Sequence, residues 1–151
     1  MLRTHYCDTS FVVPLLLEEA TSEPIGDFVR TLDQNALVTS TWTRTEFNSL
    51  LGIRVRSRLL EAEDARRAEE YFDKLLESFG ILEVAPADFE LAREMLREFH
   101  IGLRAGDALH LAIARNQGAE NVLSLDKGML RAGRRFGIAT TTGATIAGYE
   151  S

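Results

Sequence analysis

The sequence has a single cysteine, Cys7, and only two lysines, Lys74 and Lys127, in 151 residues. One thiol excludes an internal disulfide and leaves no thiolate pair for zinc or an iron–sulfur cluster. Long apolar runs are missing as well. The longest, Phe11 to Leu17, contains Pro14 and falls far short of the roughly 20 residues that cross a bilayer, so neither a transmembrane helix nor a membrane partner is expected. The first residues, Met1 to Asp8, lack the basic, then apolar, then small-residue order of a secretory signal, which leads to the expectation of a cytoplasmic protein. Positive charge is also in deficit: 23 acids face 17 bases, for a formal charge of -6, so the surface as a whole repels a polyanion and any nucleic-acid contact must be local. The excess of arginine over lysine carries little weight, because a GC-rich coding bias produces it as readily as phosphate-binding geometry does. What remains, 45% hydrophobic and 26% charged residues, is the balance of one globular domain over residues 1–151, with no repeat, linker or low-complexity tract.

The elements follow from periodicity. Thr4 to Cys7 is a run of strand formers, followed by Asp8-Thr9-Ser10 and a helix from Phe11 to Glu19, for which Thr9 and Ser10 are better placed as caps than Asp8. Ser22 opens a second helix, with Pro24 tolerated in its first turn and Ile25, Phe28, Val29 and Leu32 on one side. Ala36 to Ser40 has strand length, and Phe47, Leu50, Leu51, Arg54 and Val55 share one face of a helix reaching about Leu59. A charged helix from about Glu63 to Phe79 keeps Tyr71, Phe72, Leu75, Leu76 and Phe79 together and is expected to end in a left-handed turn at Gly80. Ile81 to Val84 is a strand candidate, and Phe89, Leu91, Ala92, Met95, Leu96 and Phe99 mark a helix from about Ala87. Gly106 and Asp107 open Ala108 to Ala114, a helix nearly free of charge that should be buried, closed by Gly118. Asn121 to Leu125 is a strand, Met129, Leu130 and Phe136 lie on a short helix before Gly137, and Ile138 to Thr141 is the last strand; the tail is ambiguous. Strands separated by helices need crossover connections, which predicts a parallel sheet with helices on both faces.

Four acids fall at strand ends or helix starts: Asp8, Glu46, Asp107 and Asp126. Ligands of open parallel sheets bind beyond the carboxyl ends of the strands, and neighbouring strands lie about 4.8 Å apart, so Asp8 and Asp126 can share one ion if their strands are close. Convergence has a cost: two unit charges about 4 Å apart repel by roughly 4 kcal/mol at an effective dielectric of about 20. Protonation relieves it, as does a hard divalent cation, and an all-oxygen set suits magnesium or manganese better than zinc or copper.

Each acid also has an ordinary explanation. Asp8 can cap a helix, Asp107 suits a helix dipole, and Asp126 before Lys127-Gly128 fits a turn. Thr43-Arg44-Thr45-Glu46 matches a capping box, and on the residues alone capping is the preferred reading of Glu46. His5, His100 and His110 form no convincing ligand set and are left out, although Asp107 and His110 lie one helical turn apart. Arg131, Arg134 and Arg135 form a basic cluster that can bind RNA phosphates, with a solvated helical face as the default, and Trp42 is expected to pack at the start of its helix rather than to stack on a base.

Four segments, Tyr6-Cys7-Asp8-Thr9-Ser10, Thr43-Arg44-Thr45-Glu46-Phe47, Arg104-Ala105-Gly106-Asp107-Ala108-Leu109-His110 and Val122-Leu123-Ser124-Leu125-Asp126, together resemble the PIN-domain ribonucleases, and more closely the VapC toxins of bacterial toxin–antitoxin pairs. The resemblance spans nearly the whole chain. It implies a three-layer α/β/α fold with a central parallel sheet of four to five strands. It also implies a catalytic quartet of Asp8, Glu46, Asp107 and Asp126, overriding the capping preference for Glu46. Asp8, Asp107 and Asp126 then hold Mg2+, for which Mn2+ can substitute, with Thr9, Ser10 and Ser124 as hydroxyls behind them. Ser124 stands where relatives often carry threonine and keeps the hydroxyl. The implied activity is a magnesium-dependent endoribonuclease acting on structured transfer or ribosomal RNA, a homodimer neutralised by a VapB-type antitoxin. A housekeeping nuclease of the same fold is an alternative. A phosphatase using Asp8 as nucleophile would want a second acid where the chain has Ser10, and a binding module would hold no metal.

Overall fold

The strand-forming runs pair in parallel. β1 (His5–Cys7) lies between β2 (Leu37–Ser40) and β4 (Asn121–Leu123), β3 (Gly80–Leu82) flanks β2, and β5 (Thr140–Thr141) flanks β4, giving the order β3-β2-β1-β4-β5. The structure, a computed structural model, describes residues 4–149, the side chain of Gln34 excepted, so the expected domain over 1–151 reaches at its two ends outside the described residues.

Side chains alternate across a strand, and the register turns that alternation into two cores. Tyr6 pairs with Val38 and Val122, and all three face one side. Cys7, Leu37 and Leu123 face the other. On the Cys7 side pack α1 (Thr9–Leu16), α2 (Ser22–Arg30), α3 (Thr41–Arg56) and α4 (Ala62–Ser78), through buried Phe11, Ile25, Phe47 and Phe72. Phe47 and Phe72 meet edge to face at 5.1 Å and tie α3 to α4. On the Tyr6 side pack α5 (Pro86–Met95), α6 (Ala105–Asn116) and α7 (Lys127–Phe136), through Met95, Leu111, Ile113 and Met129. This is the expected three-layer α/β/α arrangement, and α6 is buried along its length from Ala108 to Ala114. Among the described residues no helix is long and apolar enough to cross a membrane.

Several local expectations are corrected. Gly80 does not close α4 in a left-handed turn: the chain leaves α4 in an extended conformation at Phe79, and Gly80 opens β3. A Cβ there would come within 2.9 Å of Val38 Cγ1, so the residue is glycine because two strands approach closely. α1 begins at Thr9 rather than Phe11 and ends at Leu16 rather than Glu19. Its cap is Asp8, whose extended backbone aims a carboxylate oxygen at the Phe11 amide, 3.0 Å away. α3 begins at Thr41 under a Ser40 cap, which leaves Thr43 and Glu46 inside the helix and removes the capping box. α5 stops at Met95, and Phe99, expected on its apolar face, is 84% exposed. The strands are shorter than predicted, β4 ending at Leu123 and β5 beginning at Thr140. Gly118 and Gly137 do follow α6 and α7 in left-handed conformations, with φ of 71° and 68°.

Candidate active site

All four acids line one cleft of about 570 Å³ at the carboxyl edge of the sheet, together with Thr9, Ser10, His110, Arg54 and Arg104. Topology explains the convergence. Asp8 follows β1 and Asp126 follows β4, and these strands are hydrogen-bonded neighbours. Glu46 comes from the second turn of α3, which starts where β2 ends, and Asp107 from the first turn of α6. A Cβ on Gly106 would lie 2.9 Å from Glu46 Oε2 and 3.3 Å from Trp42 Cζ2, so a glycine beside Asp107 lets α6 approach α3. Trp42 packs as expected, its ring in the second core and its indole donating to the Gly106 carbonyl at 3.3 Å.

Asp8 is 2% exposed and held by neutral donors. Its Oδ1 accepts from Ser10 Oγ at 2.7 Å and from the Phe11 amide at 3.0 Å, and its Oδ2 accepts from Ser124 Oγ at 2.5 Å. Ser10 Oγ also accepts from the Leu125 amide and Ser124 Oγ from the Asp126 amide, so the two serines stitch the end of β1 to the end of β4. Burial pushes Asp8 above the ordinary carboxylate range, against the pull of His110, both serines and the Phe11 amide.

Glu46 is treated differently. Its Oε1 accepts from Thr9 Oγ1 at 2.6 Å and from the Nε2 of His110, a side chain buried to 1% exposure. His110 Nδ1 faces the Tyr6 hydroxyl at 2.7 Å, and that hydroxyl meets Ser40 Oγ at 2.8 Å. Nε2 donates to the carboxylate, and Nδ1, the Tyr6 hydroxyl and the Ser40 hydroxyl follow in a continuous line from the cleft to the end of β2. Burial raises the Glu46 pKa, but the hydrogen bond and charge of His110 and the Thr9 hydroxyl outweigh it and hold Glu46 below the ordinary range.

Asp107 carries the sign of crowding. Burial first, then the charges of Asp126, Asp8 and Glu46, push it from 3.8 to about 6, with His110 opposing. Asp126 caps α7, its Oδ1 accepting from the Met129 amide at 3.0 Å. Among the described residues no lysine or arginine pairs with Asp8, Asp107 or Asp126. An all-oxygen, uncompensated acid cluster fits a hard divalent cation. Among the described residues no three His, Cys, Asp or Glu side chains close into a cage on their own. The fit is therefore to an ion that keeps much of its water, as magnesium does with one or two carboxylates.

The sequence-predicted residues Asp8, Glu46, Asp107, Asp126, Thr9 and Ser10 thus share the cleft, and Ser124 lies directly behind Asp8. His110 and Tyr6 were missed. The signal for His110 was its place one turn after Asp107; its place within an apolar helix argued for an ordinary core residue. The basic cluster divides: Arg135 pairs with Glu98 at 3.2 Å, whereas Arg131 and Arg134 flank a shallow groove with Lys127.

Comparison with known proteins gives a consistent result. The family described as PIN domain matches residues 5–135. Among solved structures, FitAcB from Neisseria gonorrhoeae superposes with a TM-score of 0.73 at 16% identity, covering 93% of this chain and 98% of that one. VapC20 from Mycobacterium tuberculosis, described as a sarcin–ricin loop cleaving toxin, gives 0.70 at 22% identity, with 86% and 95% covered. VapBC2 from Rickettsia felis, bound to a DNA fragment from its promoter, gives 0.69 at 12% identity, with 91% and 97% covered. At these identities the likeness is one of fold. No curated protein matches.

Proposed function

The chain belongs to the PIN-domain family, and from that membership we propose that it is a magnesium-dependent endoribonuclease of the VapC toxin type. On this reading it cuts structured transfer or ribosomal RNA in the cytoplasm, forms a homodimer and is neutralised by a VapB-type antitoxin. The observation that carries the proposal is Asp107, a carboxyl pushed to about 6 by burial and three neighbouring acids in one open cleft. The shared fold with VapC20, described as a toxin, and with VapBC2 supports it.

Asp8, Asp107 and Asp126 would hold the ion, with water completing its shell. Bound there, Mg2+ or Mn2+ supplies a Lewis acid that orients a phosphodiester and lowers the pKa of a water. The chain's own residues do the rest. Ser10 and Ser124 fix the Asp8 carboxylate, and Thr9 and His110 fix Glu46 in its ionised form, ready to orient the attacking water and accept its proton. The phosphoaspartate alternative wants a second acid two residues after the nucleophile, and the chain has Ser10 there, its hydroxyl donating to Asp8. The test is to incubate the antitoxin-free protein with total RNA and magnesium. Discrete cleavage that disappears with chelator and with Asp107→Asn supports the proposal; cleavage indifferent to both overturns it.

A further inference from the structure

The acid cleft leaves unexplained the cations that begin one residue after Asp126. Lys127, Arg131 and Arg134 occupy positions i, i+4 and i+7 of α7, which places them on one face along about 10 Å of helix axis. All three are exposed, in a chain whose formal charge is -6. Among the described residues none of them forms an ion pair with an acid, while the next residue, Arg135, is engaged by Glu98. The row is connected to the cleft. A Cβ on Gly128 would lie 3.1 Å from Asp126 Oδ1 and 3.7 Å from Arg131 Nη2, so acid and guanidinium flank the same glycine. Tyr149 forms the opposite wall: its hydroxyl donates to the Leu125 carbonyl, and its ring lies under the Lys127 ammonium, 5.2 Å away.

Resting on the nuclease reading of the cleft, we propose that the Lys127–Arg131–Arg134 face of α7 is a track for two or three consecutive phosphates of a single-stranded RNA segment leading into the acid site. A row of separate, unpaired charges suits the regular charges of a nucleic-acid backbone. A protein partner would need apolar anchors, and the groove offers only Leu130 beside a tyrosine ring already covered by Lys127. The track also reconciles a negative protein with a polyanionic substrate, because it confines the attraction to one helix face beside the cut.

The test measures binding without cleavage. A short, fluorescein-labelled, mixed-sequence single-stranded RNA is titrated by anisotropy on the Asp107→Asn background, over about 50 to 200 mM salt. Adding Lys127→Ala, Arg131→Ala and Arg134→Ala together is expected to weaken binding at low salt at least tenfold and to flatten the slope of log Kd against log salt by about two, near 0.7 per lost contact. Arg135→Ala should change neither. An unchanged slope in the triple variant overturns the track, as does RNA binding undiminished while binding of an acidic peptide, poly-glutamate, is lost. The two proposals fail separately: a flattened slope with no cleavage by the unmodified protein sinks the nuclease, and magnesium-dependent cleavage with an unchanged slope sinks the track.

Discussion

Two halves of one cleft handle a buried carboxylate in opposite ways. On the β1/β4 side, Asp8 is hydrogen-bonded only by hydroxyls and an amide, and burial prevails over them and over the more distant pull of His110, so its proton is held more tightly than usual. On the β2/α6 side, Glu46 is gripped by an imidazole backed by Tyr6 and by the Thr9 hydroxyl, and its proton is held less tightly. The lesson is that hydrogen-bond number does not set the charge state of a buried acid. Asp8 has three donors and Glu46 two, and His110 pulls on both; Asp8 is the more deeply buried, while Glu46 touches the imidazole directly, and that difference decides. A site with both kinds of acid can offer a carboxylate that welcomes a cation next to one that stays ionised without it.

That contrast can be broken, most severely at Asp107, the acid that feels both halves. Asp107→Asn should lower RNA cleavage by about 10²–10³-fold, measured as initial rate, while raising the melting temperature at pH 7.5 by about 2–4 °C because a repelled charge is gone. The sign follows from the raised pKa. The folded state binds the proton more tightly than the unfolded chain, so the unmodified protein loses stability as pH climbs from 3.8 to about 6, and the gain from Asp107→Asn should fade toward pH 4. Loss of both activity and stability would mean a structural role instead.

The Glu46 half is tested at His110. His110→Phe should lower cleavage about 10–100-fold, and His110→Gln, which can still donate toward Glu46, should recover part of it. Equal damage from both variants would show that the imidazole does not act by holding Glu46. The cation-welcoming half is tested by magnesium itself. At about 100 times its dissociation constant it should raise the melting temperature by about 5 °C at pH 7.5, and by less below pH 6 where Asp107 is protonated. No shift at any concentration would count against metal binding. The smallest effect is expected for Thr9→Val, which keeps the shape and removes one Glu46 donor, slowing cleavage about three- to fivefold.

Much of this was legible in the sequence because it was written in position rather than in residue type. Acids after apolar runs of strand length, and glycines after helical runs, predicted the sheet edge and the ends of α6 and α7. Glu46 was harder, since its spacing from Thr43 imitates a cap. Nothing local reveals that Ser40 already does that work, and only the family resemblance pointed to the cleft. His110 was hidden by its surroundings, because a polar residue in an apolar helix looks the same whether its partner is a core tyrosine or a reacting group. Gly80 was misread because a glycine after a helix signals a turn, while the reason for it lies on another strand, at Val38.

The Asp8 and Asp126 carboxylates each have two employments, lining the cleft and capping a helix whose first turn needs their oxygen. Glu46 and Asp107 have no such second employment. A descendant that gave up chemistry would therefore retain the first pair for folding's sake and let the second drift. Survival of Asp8 and Asp126 alone in a distant homologue is thus a fossil of architecture, and only the company of Glu46 and Asp107 signals a living enzyme.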